Sequence, residues 1–160
     1  MTRIYLLSIL LGILPISELR GAIPYAYLNG VPIWLSYIIG VLSNAMVPFI
    51  GFTFFETLHK LLDKWGFYHR LFEKTVDRAR KKVGDKVSKY GLLGLMLFVA
   101  IPLPVTGAWT GILGAWVLGL DRKKSVLFIL LGVLISGIIV STVLYTGAGI
   151  SSLFTKTVNI

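Results

Sequence analysis

Hydrophobic and polar positions divide the chain into long apolar blocks separated by short charged stretches. Val31–Phe55, Gly91–Leu120 and Ser125–Ser152 contain no Asp, Glu, Lys or Arg, and uncharged runs longer than about 18 residues are candidates for transmembrane helices. Two shorter apolar runs, Ile4–Ile16 and Ala22–Leu28, precede them. The pattern predicts an all-α polytopic membrane protein in which residues 1–160 form a single membrane domain.

The first two apolar runs are too short to cross a membrane. Ile4–Ile16 would span about 20 Å as a helix, whereas a hydrocarbon core is about 30 Å thick. A charged motif separates this run from Ala22–Leu28, and Asn29-Gly30 then favours a tight turn. We therefore predict a re-entrant hairpin over residues 1–30, followed by a transmembrane helix over residues 31–55. The N-terminal run is expected to be retained, because a cleaved signal peptide is normally followed by soluble sequence.

A second re-entrant hairpin is predicted over residues 91–120. Its middle contains Pro102, Pro104 and Gly107, which interrupt a helix. Lys- and Arg-rich segments lie before and after this block, and the positive-inside rule places both in the cytoplasm. The block should therefore enter and leave on the same side, and residues 125–152 should form the second transmembrane helix.

Most of the positive charge lies between the two hairpins. The formal net charge is +9, and ten of the sixteen basic residues fall between Lys60 and Lys89. The cations flank apolar spans, so cytoplasmic topology explains them better than a nucleic-acid partner. Apolar residues recur there at spacings of three and four, which predicts a basic amphipathic cytoplasmic helix within residues 56–90, lying on the anionic leaflet. These apolar residues are Tyr68, Leu71, Phe72, Val76, Ala79, Val83, Val87 and Tyr90.

The predicted elements form two similar halves, each a hairpin followed by a span. Ile38-Ile39-Gly40-Val41-Leu42-Ser43 resembles Leu130-Leu131-Gly132-Val133-Leu134-Ile135, and Arg20-Gly21-Ala22 resembles Thr106-Gly107-Ala108. With residues 56–90 and 121–124 in the cytoplasm of a cell-membrane protein, both termini lie outside and the halves are inverted. Inverted repeats with broken helices are a recurring design of secondary transporters.

The candidate chemistry centres on Glu18 and Arg20, because charges at membrane depth usually mark a transport path. One interpretation is a neutralising pair that holds the hairpin turn. The other makes Glu18 a protonatable coupling site and Arg20 a recognition group for phosphate, whose geometry a guanidinium fits. Helices beginning after Gly21 and Gly107 would add N–H donors. Further cavity candidates are Asn44, Thr106 and Trp109, and the hairpin-break residues are Gly21, Pro24, Pro102, Pro104 and Gly107.

Several site types are excluded or disfavoured by composition. The chain has no cysteine, and both histidines, His59 and His69, lie in the polar segment. We therefore expect no metal site and no cofactor. Glu18 is the only carboxylate in the apolar blocks and their adjoining motif, so it lacks an acid–base partner and we expect no enzymatic activity.

The two hairpin motifs carry a family resemblance over nearly the whole chain. Ser17-Glu18-Leu19-Arg20-Gly21-Ala22-Ile23-Pro24 and Pro102-Leu103-Pro104-Val105-Thr106-Gly107-Ala108-Trp109 resemble those of the small multidrug export family, a distant relative of the DedA/VTT superfamily. The superfamily resemblance implies two re-entrant loops facing each other across the membrane. It also implies a functional acidic residue in the first hairpin, which Glu18 matches, and an arginine in the second, where Thr106 stands instead. Arg20 would then supply the cation.

The resemblance implies a DedA-like transporter or lipid flippase or scramblase that moves an amphipathic or phosphate-bearing substrate between the hairpins. The alternatives are a proton-coupled small multidrug exporter of cationic compounds and a structural membrane protein. Lipid handling would depend on Arg20, cation export on Glu18, and a structural role on neither. The expected partners are membrane lipids and a small amphipathic substrate. We also expect a homodimer, because two spans and two hairpins leave little protein to bury the charged pair.

Overall fold

The computed structural model describes residues 1–57, 66–103 and 106–147 and is helical throughout the elements it assigns. The helices are α1 (Thr2–Ile13), α2 (Glu18–Leu28), α3 (Ile33–Ala45), α4 (Val47–Glu56), α5 (Gly66–Ala100), α6 (Ala108–Val117) and α7 (Arg122–Tyr145). Two segments are long and apolar enough to cross a membrane, Ile33–Glu56 and Arg122–Tyr145. The all-helical prediction is confirmed for the described residues.

Proline and glycine account for most helix boundaries. Leu14, the residue before Pro15, is extended (φ −65°, ψ 136°), because a residue before proline avoids the α-helical region, and α1 ends there. Asn29 and Gly30 form the predicted turn between α2 and α3. The predicted span over residues 31–55 is interrupted at Met46, two residues before Pro48, whose missing N–H removes one helical hydrogen bond.

The last helix begins earlier than predicted, at Arg122 rather than Ser125. The backbone N–H of Lys124 donates a hydrogen bond of 2.8 Å to Oδ1 of Asp121. A side-chain oxygen in this position satisfies an N–H that a helix start leaves without a partner. Asp121 therefore extends the helix back over the basic triplet, and the predicted end of this span at Ser152 lies outside the described residues.

Helix α5 bends at Gly91, where φ is 58° and ψ is −138°. Only glycine adopts these angles without strain, so this residue separates the basic part of α5 from an apolar arm. Lys89–Ala100 is a short apolar helix, and Pro102 and Gly107 fall in the break between it and α6. Pro104 lies outside the described residues.

The chain forms two compact units. The first comprises residues 1–46 and 133–160, of which 148–160 are outside the described part, and the second comprises residues 47–132. In the first unit α1 packs on α2, and both pack on α3; in the second, α6 packs on α4 and on α5. The buried apolar residues of the first unit include Leu19, Ala22, Ile23, Ala26 and Val41, and those of the second include Val47, Phe52, Leu95, Val99 and Ile112.

Candidate functional site

The turn between α1 and α2 carries the charged motif. The backbone N–H groups of Ser17 and Glu18 both donate to the carbonyl oxygen of Leu14, at 3.3 and 3.0 Å. Helix α2 thus begins at Glu18, four residues before Ala22, where a helix that starts after Gly21 would begin. Gly21 and Pro24 lie inside α2, and the break between the two helices precedes them at residues 14–17.

Glu18 has a backbone conformation that is rare for its residue type. Its φ is 53°, and it is the one residue other than glycine with a positive φ in the described part of the chain. Left-handed backbone at a non-glycine residue costs about 1–3 kcal/mol and persists where the surroundings enforce it. The residue is also only 3% exposed. A buried carboxylate on strained backbone is the kind of feature that clusters at functional sites.

The strained backbone explains how Glu18 meets Arg20. Side chains two residues apart on a regular helix do not face each other, yet Nη2 of Arg20 lies 3.7 Å from Oε2 of Glu18. The arginine side chain is 14% exposed and the glutamate side chain 4%. The non-helical φ at Glu18 turns its side chain toward Arg20, so the pair lies together with little access to solvent.

Asn44 connects α3 to the end of α1. It is fully buried, and its Nδ2 donates a hydrogen bond of 3.1 Å to the carbonyl oxygen of Gly12. Carbonyls in the last turn of a helix lack intrahelical partners, so this bond fixes the end of α1 just before the charged turn. Within the described residues, Oδ1 of Asn44 has no hydrogen-bond partner.

Glycines bring the first hairpin close to α3. A Cβ added to Gly12 would lie 1.9 Å from Oγ of Ser43, and one added to Gly40 would lie 2.4 Å from Cγ1 of Ile23. Distances below 3.0 Å are not tolerated without a shift, so both positions require glycine for this packing. The two contacts hold the arms of the hairpin against one helix.

Thr106 and Trp109 belong to the second unit, whereas Glu18, Arg20 and Asn44 belong to the first. Oγ1 of Thr106 accepts a hydrogen bond of 3.1 Å from the N–H of Leu103. It also lies 2.7 Å from the carbonyl oxygen of Ile101, to which its proton can be donated. Thr106 therefore closes the break before α6, and Trp109 in the first turn of α6 is half-buried.

Sequence patterns did not indicate the cluster at the end of α4. Glu56, the last residue of α4, pairs with Arg122, the first residue of α7. The Arg122 guanidinium lies 5.9 Å from the centre of the Phe52 ring, and Phe55 stacks on Trp116 at 5.6 Å. In the sequence, Glu56 and Arg122 are visible as charged residues at the borders of apolar blocks. That position bears on the topology of the chain, but it does not indicate that the two residues form an ion pair.

A separate groove of 340 Å³ lies between α3 and the end of α7 in the first unit. Its side chains are aromatic, aliphatic and hydroxyl-bearing: Ile33, Trp34, Tyr37, Ile138, Ser141 and Thr142. Helix α2 runs from Glu18 to Leu28, about 16 Å at 1.5 Å per residue, before the turn that leads to Ile33. The groove therefore lies near the opposite end of α2 from the charged pair.

Comparison with known proteins gives one family. The family model described as "Putative small multi-drug export protein" matches residues 18–139, which is well over half of the chain and begins at Glu18. No curated protein matches, and no solved structure matches.

Proposed function

The chain belongs to this small multi-drug export family, and on that premise we propose that it exports small amphipathic cations in exchange for protons at Glu18. The observation that carries the proposal is the carboxylate, 3% exposed, on left-handed backbone next to an apolar hairpin. The match and the two candidate spans also indicate a membrane protein. Charged residues within membrane segments are rare and usually functional.

The sign of the charge favours a cation. Glu18 is the only acidic residue between Met1 and Phe55, and the second hairpin block contains none. A carboxylate can be neutralised by a proton, by a cationic substrate or by a guanidinium. Arg20 lies 3.7 Å away, so its guanidinium can neutralise the carboxylate when no substrate is bound. Cation and proton then exclude each other, which is the requirement for exchange.

Asn44 and the glycine contacts support the same proposal indirectly. They fix the arms of the hairpin on α3, so the turn that bears Glu18 is held by packing. A binding group must be positioned by a rigid surrounding to discriminate between ligands.

We further propose that residues 1–30 and 91–120 are re-entrant hairpins of an inverted repeat. Gly40 and Gly132 occupy the same position in the two similar segments that begin at Ile38 and Leu130. Each glycine packs on the hairpin of its own half. Gly40 faces Ile23, and Gly132 faces Val99 and the carbonyl oxygen of Met96. Gly40 contacts the second arm of the first hairpin, whereas Gly132 contacts the first arm of the second hairpin. The repeat is therefore approximate.

Phospholipid transfer, implied by the resemblance to the DedA/VTT superfamily, remains the competing proposal. The family match names the export family alone. The two mechanisms depend on different members of one ion pair: cation exchange requires the Glu18 carboxylate, whereas headgroup recognition requires the Arg20 guanidinium.

The test measures uptake of tetraphenylphosphonium into proteoliposomes that are acidic inside, with protein-free liposomes as the background. We expect uptake by the unaltered protein, its loss in Glu18→Gln, and its retention in Arg20→Gln with a lower KM because the competing guanidinium is gone. Glu56→Gln, which removes a carboxylate outside the apolar blocks, is the matched control and should transport normally. Full uptake by Glu18→Gln would overturn the proposal.

The same proteoliposomes distinguish phospholipid transfer from cation exchange. Fluorescent phospholipids are placed in both leaflets, and dithionite bleaches those in the outer leaflet. Cation exchange predicts that bleaching stops at about half for every variant, since two leaflets of similar area hold similar amounts of lipid. Complete bleaching that is lost only in Arg20→Gln would replace cation export with phospholipid transfer.

A further inference from the structure

The basic part of α5 presents lysines that the proposed export does not use. Residues 66–90 contain eight Lys and Arg residues against three Asp and Glu residues, and the backbone there is one continuous helix. Lys74, Lys81 and Lys89 are exposed. This concentration of charge lies immediately before the apolar arm that begins at Gly91.

The exposed lysines lie on one side of the helix. At about 100° per residue, Lys74 and Lys81 are nearly in line and Lys89 lies about 60° from Lys74, whereas Val76 and Val87 point about 200–220° away. Both valines are half-buried in the protein. The lysine face is therefore more exposed than the face that carries the two valines.

The end of this helix has the residue types of a membrane interface. Lys89 is the first residue of the apolar helical segment Lys89–Ala100, and the Lys89 ammonium lies 5.2 Å from the centre of the Tyr90 ring. Tyrosine and lysine are typical of the interface between lipid and water. The bend at Gly91, with its non-helical torsion angles, means that the basic helix does not simply extend the axis of the arm away from the membrane.

We propose that the lysine face of residues 66–90, with Lys74, Lys81 and Lys89, is a docking surface for the anionic headgroups of the leaflet from which the arm enters. Contact is electrostatic, since the exposed face carries lysines and the two valines lie on the other side of the helix. The bend at Gly91 lets the helix run along the surface, which keeps Lys74 within the screening distance of about 8 Å at physiological salt. A helix continuing straight from the arm would carry Lys74 about 22 Å from Lys89, beyond that distance. The proposal is independent of the substrate exported.

The cysteine-free chain permits a direct test in lipid nanodiscs. A single cysteine at Thr75 or Ser88 carries a polarity-sensitive fluorophore, and the discs contain phosphatidylcholine alone or mixed with phosphatidylglycerol. We expect a blue shift with phosphatidylglycerol at both positions, reversed by added salt. A shift confined to position 88 would mean that the helix projects away from the surface, and would overturn the proposal.

Three variants make the test specific. Replacing Lys74, Lys81 and Lys89 together by Gln should abolish the shift, whereas the matched pair Lys123→Gln and Lys124→Gln, also exposed lysines, should leave it intact. Equal loss in both would show that only net charge matters and would overturn the assignment of the surface. Gly91→Ala, whose strain disturbs the bend, should reduce the shift at position 75 more than at position 88.

An RNA partner is the competing explanation for a basic helix, and an oligonucleotide added to discs of phosphatidylcholine tests it. We expect the fluorescence to remain unchanged. A shift with RNA and none with phosphatidylglycerol would replace the lipid surface with a nucleic acid.

Discussion

The side-chain amide of Asn44 in α3 donates its hydrogen bond to the carbonyl oxygen of Gly12 in α1 at 3.1 Å, and it therefore fastens the end of one helix just before the turn that carries Glu18 and Arg20. The sequence suggested Asn44 as a cavity residue. The hydrogen bond makes Asn44 a connection between α1 and α3. The Oδ1 atom of Asn44 is also buried, and within the described residues it has no hydrogen-bond partner.

Replacing Asn44 should therefore destabilise the hairpin. We expect Asn44→Leu to lower the free energy of unfolding by about 1–3 kcal/mol, because the Gly12 carbonyl would remain buried without a partner. Titration with a denaturing detergent, followed by circular dichroism, measures the loss. Ser8→Ala is the matched control, since the buried Ser8 hydroxyl bonds only the Ile4 carbonyl within its own helix among the hydrogen bonds described here; equal losses would contradict the connecting role of Asn44.

Gly132 and Gly84 should respond in opposite directions to alanine. A Cβ at Gly132 would lie 2.7 Å from the backbone carbonyl oxygen of Met96 and 2.8 Å from Cβ of Val99, so α7 must move and we expect a loss of about 1–3 kcal/mol. Gly84 has nothing within 4 Å of its added Cβ and lies inside α5, where alanine favours helix by about 1 kcal/mol. Thermal unfolding in detergent compares the two, and a Gly132→Ala protein as stable as Gly84→Ala would refute the close approach.

The ion pair between Glu56 and Arg122 should contribute little to stability. Both side chains are more than 40% exposed, at 41% and 47%, and exposed pairs are worth about 0–1 kcal/mol. A double-mutant cycle with Glu56→Gln and Arg122→Gln at low and high salt measures the coupling. A coupling above about 2 kcal/mol, insensitive to salt, would mean that the pair is effectively buried.

Cysteine labelling tests the inverted topology. Single cysteines at Asn29, Ser88, Lys124 and Asn159 are treated in intact cells with a membrane-impermeant maleimide. We expect labelling from outside at positions 29 and 159, and protection at positions 88 and 124 until the cells are opened. Labelling of positions 88 and 124 from opposite sides would overturn the second hairpin, because a segment that both enters and leaves on one side keeps its flanks together.

Local chemistry was enough to predict an all-helical chain, the turn at Asn29-Gly30 and the break around Pro102, but several helix ends differ from the predicted ones. The turn and the break depend on backbone restrictions set by neighbouring residues alone. Pro15 ends α1 by the same kind of restriction, although the predicted apolar run continued to Ile16. Pro48 could also have indicated the interruption at Met46. It was not used because residues 31–55 are uncharged throughout and were treated as one span. Asp121 was overlooked as a helix cap because the basic triplet after it was treated as a loop.

The geometry of the candidate site required tertiary information. Nothing in the motif predicts a positive φ at Glu18, since left-handed backbone is ordinarily a property of glycine and here depends on how the turn is held. The close contacts of Gly12 and Gly40 likewise depend on Ser43 and Ile23, whose proximity no spacing rule provides. The sequence identified the charged pair as the site to examine but not the backbone that brings its members together.

The left-handed backbone at Glu18 has an evolutionary consequence. Glycine would adopt the same φ of 53° without strain, so the substitution that most relaxes this turn is also one that deletes its carboxylate. Glycine would, however, take the carboxylate away from the Arg20 guanidinium, which is only 14% exposed, and breaking a buried ion pair is strongly destabilising. Selection for stability would thus favour glycine only where Arg20 is replaced as well, while selection for the proposed export would favour glutamate. A library of both codons sorted for thermal stability should therefore enrich glycine at position 18 only together with an uncharged residue at position 20.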